Sequence, residues 1–177
     1  MKLFVYRFAS GTESGPISDL NHCNRWRPTF GSWIPPGKDW KYIFYTAFHW
    51  LRIFRNRDYS WLALSDNVLK ASMLCVPSYF KWPFMASNDI QFTYVMTTAA
   101  ARGQGWGSRL LQTGIERLSE PGRSFWYITD EKNIASQKLA LRSGFEFVGT
   151  AVCKRALLKR VQLIRDGESI RGYDKLY

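Results

Sequence analysis

Acidic residues are scarce in this sequence: fourteen Asp and Glu stand against twenty-five Lys and Arg, for a formal net charge of +11. Histidine is scarcer still. His22 and His49 are the only two, and neither lies in a metal-ligating spacing, which argues against a zinc site. The three cysteines, Cys23, Cys75 and Cys153, are odd in number, far apart and without a Cys-x-x-Cys pair, a pattern of reduced, mostly buried thiols rather than a disulfide framework. No apolar run is long and unbroken enough for a membrane span. The opening Met1-Lys2-Leu3-Phe4-Val5-Tyr6-Arg7-Phe8 is interrupted by Arg7 and lacks a cleavage site, so it reads as a first strand and the chain is expected in the cytoplasm. Repeats, low-complexity tracts and linkers are also missing, so residues 1–177 are expected to form one domain with a substantial core.

Glycine, by contrast, is concentrated where it carries meaning. In Arg102-Gly103-Gln104-Gly105-Trp106-Gly107, three glycines fall within five residues. A β-branched and aromatic run, Phe92–Thr98, precedes them, and Leu110, Leu111, Gly114, Ile115 and Leu118 follow at helical spacing. A strand, a glycine loop and a helix N-terminus in that order form a cradle for phosphate, because glycine admits close backbone approach and the first helical amides lack internal partners. The bland reading is a flexible turn before an ordinary helix. A P-loop is excluded, since no Gly-x-x-x-x-Gly-Lys-Ser/Thr run exists, and a dinucleotide fingerprint meets Ser108 where its third glycine belongs, with Glu131 only loosely placed for the ribose contact.

Arg102, Gly105 and Gly107 instead satisfy Arg-x-x-Gly-x-Gly, which resembles the acetyl-CoA loop of the GCN5-related N-acetyltransferase (GNAT) superfamily. A second block, Asn133-Ile134-Ala135-Ser136-Gln137-Lys138-Leu139 followed by Gly144-Phe145, is similar to the superfamily's other signature. Its residues suit a helix: Asn133 as a start, Ile134, Leu139 and Leu141 as apolar contacts, Gly144 as a left-handed stop. Between the blocks Ser124–Thr129 reads as a short buried strand. The resemblance covers roughly residues 89–153. It implies an α/β fold, a single domain with a mixed, mostly antiparallel central sheet flanked by helices.

The same resemblance implies an acetyl-CoA-dependent N-acetyltransferase acting on a primary amine by direct attack on the thioester, with no metal. Backbone groups of Val95, Met96, Thr97 and Thr98 would hold the pantetheine arm. Amides of Gly103, Gln104, Gly105, Trp106, Gly107 and Ser108 would grip the pyrophosphate. Arg102 either contacts phosphate or braces the loop, and Asn133 and Ser136 would line the thiol end. The superfamily's usual acid, a tyrosine one residue after Leu139, is replaced by Ala140. Tyr127, another hydroxyl or water would then protonate the thiolate, unless it leaves unaided. For the base, Asp89 is the first candidate, against an equal reading as a turn residue.

The acceptor is read from weaker signals. Pro77–Met85 before Asn88-Asp89-Ile90 faintly resembles acetyltransferases of bacterial envelope-polysaccharide pathways, which implies an amino sugar. A protein or peptide amine is the alternative, and a CoA-binding protein without catalysis is a third reading. The positive charge fits the phosphates of CoA and an anionic acceptor, or serves solubility alone. Lys154, Arg155, Lys159, Arg160, Arg165 and Arg171 cluster near the C-terminus, yet no RNA-binding signature accompanies them, which ranks nucleic acid last. The oligomeric expectation is a monomer or homodimer.

Elsewhere, residues 16–38 are broken by proline and glycine, with at most a short helix near Ile17–Arg25. From Asp39 to about Arg55 the spacing predicts a helix. Its stripe of Trp40, Ile43, Phe44, Ala47, Trp50, Leu51 and Phe54 is expected to face the core, leaving Tyr42, Tyr45, Phe48 and His49 for a ligand, a partner or another part of the chain. Trp61–Leu64 and Val68–Val76 around Asp66-Asn67 predict a hairpin, and Glu146–Lys154 and Lys159–Arg165 the last two strands, with Ala156–Lys159 alternatively a helical turn.

Overall fold

The computed structural model describes residues 2–9, 23–153 and 161–165. Within them the chain runs β1 (Lys2–Ala9), β2 (Cys23–Trp26), α1 (Ile43–Trp50), β3 (Ser60–Asp66), β4 (Val68–Pro77) and β5 (Ile90–Thr97). It continues through α2 (Trp106–Leu118), β6 (Ser124–Asp130), α3 (Ile134–Arg142), β7 (Glu146–Cys153) and β8 (Val161–Arg165). The strands form one sheet in the order β2-β3-β4-β5-β6-β1-β7-β8. Only the β5–β6 pair is parallel. The mixed, mostly antiparallel sheet with flanking helices is the fold class expected from the sequence.

Each face of the sheet buries its own core. On one, Leu110, Leu111, Ile115 and Leu118 of α2 and Ala140 of α3 close over Leu62, Leu64, Met73, Phe92, Phe125 and Phe145. Gly114 is required there, because a Cβ would lie 2.2 Å from the Met73 methyl and 2.9 Å from the Phe92 ring. The other core is aromatic, joining Tyr42, Phe54, Tyr59, Trp61, Tyr79, Trp82 and Trp126, with Tyr45 and Phe48 packed against it.

Two expectations from sequence are corrected. Cys23–Trp26 is not helical but an edge strand paired with β3, where Trp26 lies opposite Trp61; residues 17–22 of that reading lie outside the described residues. The second correction concerns the helix after Asp39, which is short: a 3-10 turn at Trp40–Tyr42, then α1, ended by Leu51 and by Arg52 at φ 56°. Within the helix the inward face is the reverse of that expected, although Phe54, beyond its end, is buried as expected. Tyr42 and Thr46 are buried and Tyr45 and Phe48 pack inward, while Trp40, Ile43, Phe44 and Leu51 are exposed. Both stripes are apolar, so hydrophobic spacing alone could not choose between them; the cluster of rings from Phe54, Tyr59 and Tyr79 did.

The predicted hairpin forms, with Asn67 taking φ 56° at its tip. β7 and β8 occupy the expected last two strands, whereas Ala156–Lys159 and most of the basic C-terminal cluster lie outside the described residues.

Candidate active site

β5 and β6 begin side by side and then part. Ile90, Gln91 and Phe92 pair with Phe125, Trp126 and Tyr127, and beyond that point residues 93–97 have no partner on β6. The outer edges of both strands stay paired, β5 with β4 as far as Thr97 and β6 with β1 as far as Asp130. A wedge therefore opens in the middle of the sheet. Two side chains of this central strand show it: Tyr94 is 45% and Met96 54% exposed.

A β-bulge drives the divergence. Ser72 lies opposite Met96 but Leu74 lies opposite Thr93, so Tyr94 and Val95 together face Met73. Tyr94 sits at φ 50°, a conformation an aromatic side chain adopts at a cost of roughly 1–3 kcal/mol. Bulges bend and twist a strand, which turns β5 away from β6. The Tyr94 ring packs against Tyr42 at 5.3 Å and Tyr45 at 6.0 Å. One wall of the wedge is thus phenolic.

The wedge runs towards the glycine loop. Gly103 and Gly105 both take left-handed φ values, 77° and 81°, and nothing stands within 4 Å of where a Cβ would project. These two glycines answer to backbone conformation, and the space beside them is open. Gly107 answers to packing instead, since a Cβ would lie 3.1 Å from Leu139 and 3.4 Å from the Thr97 hydroxyl. Its absence lets the start of α2 approach both α3 and β5.

At the N-terminus of α2, Gly105 is the cap, with no side chain capping and no acidic residue in the first turn. The Arg109 amide bonds to the Gly105 carbonyl at 3.1 Å. The preceding amides have no acceptor within the helix and, with the dipole behind them, suit an anion. Gln104 stiffens the loop: its amide donates to the Ala100 carbonyl at 2.8 Å and its oxygen accepts from the Trp106 indole at 3.3 Å. Lys70 and Arg109 flank the same indole at 5.9 and 5.3 Å. Arg102 is exposed at the loop's start, and Ser108 is half-buried in the first turn of α2.

Val95, Met96 and Thr97 lie on the free edge of the wedge, while the Thr98 amide is committed to the Lys70 carbonyl at 2.9 Å. Across the wedge Tyr127 holds the last paired position of β6 and is buried. Burial pushes its phenol above the usual range, and a hydrogen bond with Ser136 opposes that in part. Ser136 is placed by Asn133, whose side chain caps α3 by accepting from the Ser136 amide at 3.1 Å. Ala140, fully buried, brings no hydroxyl to this side.

Asp89 is not in the wedge. It precedes β5, at the end opposite the glycine loop, on the order of 16 Å along the strand from Tyr94. Its carboxylate accepts from the Ala86 amide at 2.8 Å, the Ser124 amide at 2.9 Å and the Trp126 indole at 2.8 Å. The buried clamp holds the start of β5 against β6 where the two still pair, so the structure favours the turn-residue reading over the base. Tyr94 is the wedge residue that sequence reasoning missed. Period-two alternation across 92–98 gave no sign of the extra residue, since a bulge is set by pairing with β4.

Among the described residues no group of three or more His, Cys, Asp and Glu is placed to hold a metal ion. The model of the acetyltransferase (GNAT) family matches residues 23–145, more than half of the chain and all of the wedge and its loop. The chain belongs to the GNAT family.

Solved GNAT structures share its fold. A putative GNAT acetyltransferase from Novosphingobium aromaticivorans superimposes with a TM-score of 0.52 at 13% identity, over 85% of this chain and 62% of that one. The chain therefore spans less than two thirds of that protein's length. The ribosomal-protein-S18-alanine N-acetyltransferase of Escherichia coli gives 0.50 at 13% identity, over 78% of this chain and 88% of that one. At such identities the likeness is one of fold. No curated protein matches the sequence significantly.

Proposed function

We propose that this GNAT protein transfers an acetyl group from acetyl-CoA to a primary amine, with an amino sugar as the leading acceptor class. The observation that carries this reading is the wedge: two parallel strands forced apart by a bulge, leading to an uncapped helix start with open glycines. The amides of residues 103–108 would hold the pyrophosphate, with Lys70, Arg102 and Arg109 supplying positive charge nearby. The free edge at Val95, Met96 and Thr97 would bond the extended arm, and Asn133 and Ser136 would line its far end.

When bound, acetyl-CoA supplies an acyl group activated as a thioester. This chain's residues would position it for the amine nitrogen to form the N–C bond as the C–S bond breaks. They would carry one proton from that nitrogen to the leaving sulfur, the donor phenol being restored by the proton the nitrogen gives up. Like any phenol, Tyr127 is protonated across the neutral range, and its hydroxyl would donate to a leaving thiolate with Ser136 beside it. It would thus do from β6 what the usual tyrosine at the place of Ala140 does from the helix. With Asp89 committed to its clamp, the acceptor amine is received as the free base. The rings of Tyr45 and Tyr94, with Tyr42 buried behind them, offer apolar faces with phenolic rims, suited to stacking a sugar ring. Ala140 favours a second reading, CoA binding without catalysis.

Calorimetric titration with acetyl-CoA, followed by thiol release against amino sugars, simple amines and peptides, separates these. Binding with release only in the presence of amino sugars supports the proposal. Release with peptides alone moves the acceptor class, binding without release to any amine supports the non-catalytic reading, and no binding overturns the site.

A further inference from the structure

Among the described residues the outward face of α1 has no partner. Trp40 is 70% exposed, Phe44 56% and Leu51 70%, and with Ala47 they follow one another at the spacing of a single helical face. Trp40 and Phe44 lie 5.9 Å apart. Beside them Phe30, 83% exposed, stacks at 4.5 Å on Trp50. The inward face is equally apolar, holding Tyr42, Tyr45 and Phe48 in the aromatic core. A helix apolar all round is normally buried, and this one stands at the surface.

Positive charge rims the patch. Arg27 and Arg57, near His49 of α1, and Arg52, next to Leu51, are exposed beside it, while the Arg55 guanidinium donates to the Met85 carbonyl at 3.2 Å. Arg27 and Arg57 are close enough to α1 to hold the His49 imidazole below its usual pKa, after the larger effect of burial. Two carboxylates lie on this side: Asp39, exposed next to Trp40, and Asp58, which is shared among Arg25 at 3.7 Å, Arg27 at 3.2 Å and Arg123 at 2.8 Å. Arg27, Arg52 and Arg57 stand against Asp39 and Asp58, which leaves the rim net positive within a chain of net charge +11.

We propose that this face docks the protein on an anionic lipid surface. Exposed Trp, Phe and Leu enter the boundary between headgroups and acyl chains while the arginines meet lipid phosphates. A second copy is the poorer occupant, since a two-fold contact through this patch would bring two positive rims together. Nucleic acid would satisfy the arginines and leave the apolar stripe in water. Among the described residues no helix is long and apolar enough to cross a membrane. The inference is independent of acetyl transfer, although Tyr42 and Tyr45 carry the same helix to the mouth of the wedge.

The test is cosedimentation of the full chain with vesicles of phosphatidylcholine alone or mixed with phosphatidylglycerol, with light scattering of the free protein. Binding to the mixed vesicles, absent with phosphatidylcholine and weakened by salt, is expected. The Trp40→Ser, Phe44→Ser double variant should lose roughly tenfold or more in vesicle affinity while keeping its far-ultraviolet circular dichroism and melting temperature, because both side chains are exposed. Arg52→Glu with Arg57→Glu should weaken binding and flatten its salt dependence. Failure to bind either vesicle, equal binding to both, or a wild-type dimer that the double variant converts to monomer would overturn the proposal, the last by assigning the face to self-association.

Discussion

Beneath α2 and α3 the sheet packs mainly on leucine, isoleucine, methionine and phenylalanine, with Tyr6 and Tyr127 among them; beneath α1 tyrosine and tryptophan join Val5, Leu74 and Val76. The aliphatic side is closed tightly enough to need glycine at 107 and 114, and it presents fixed backbone amides at the start of α2. The aromatic side carries hydroxyls: Tyr45, Tyr59 and Tyr79 all have phenols pushed up by burial, and Tyr94 extends the group into the wedge. One face suits a ligand recognised through backbone geometry, as a pyrophosphate is. The other suits a ligand recognised by ring faces and polar rims, so the proposed function would divide cofactor and acceptor between two surfaces of one sheet.

Substitutions on each side should therefore fail differently. Gly105→Glu is expected to abolish acetyl-CoA binding by calorimetry, since the carboxylate would fill the open cradle and repel phosphate. Gly105→Ala should retain binding and lose about 1 kcal/mol of stability to its left-handed φ. Retained affinity in the glutamate variant would reduce the loop to a turn. Tyr127→Phe should lower turnover about a hundredfold with the dissociation constant for acetyl-CoA unchanged; an unaltered rate would show that the thiolate leaves unaided. For Asp89→Asn the expected loss is about 2 kcal/mol in denaturant unfolding, because an amide nitrogen would oppose one of the three donors. The shape of the pH–rate profile should not change, and a shift in it would restore Asp89 as a base.

How far these surfaces could be read in advance differs between them. On α2 the apolar residues form one stripe, so Leu110, Leu111, Gly114, Ile115 and Leu118 are all buried as their spacing implies. Asn133 and Gly144 are equally legible, because a cap and a left-handed stop are local properties. On α1 both stripes are apolar, and the choice of inward face depended on rings contributed by β3 and the segment after β4. Asp89 was identifiable as a special residue but not by its task, since the three donors that fix it come from residues 86, 124 and 126. The bulge at Tyr94 escaped for the same reason: it exists only against β4.

The smallest effect expected, and the one that isolates the aromatic face, is alkaline. Burial, reinforced by the neighbouring Tyr94, pushes the Tyr79 phenol up to about 12, and Tyr45 and Tyr59 are displaced in the same direction. An unfolded phenol ionises near pH 10, so between there and about 12 the folded chain holds protons that the unfolded chain has released. The stabilisation is complete below pH 10 and declines as pH rises, by about 1.4 kcal/mol per pH unit for each such phenol. Tyr79→Phe should therefore reduce the steepness of alkaline destabilisation by about one phenol's share, read from urea midpoints between pH 9 and 12, while changing neutral-pH stability little. A two-step rise in phenolate absorbance at 295 nm, with the second step coincident with loss of near-ultraviolet dichroism, would mark the buried set. If all tyrosines titrate together before the fold is lost, the rings beneath α1 are reached by solvent, and the contrast between the two faces is one of shape rather than of burial.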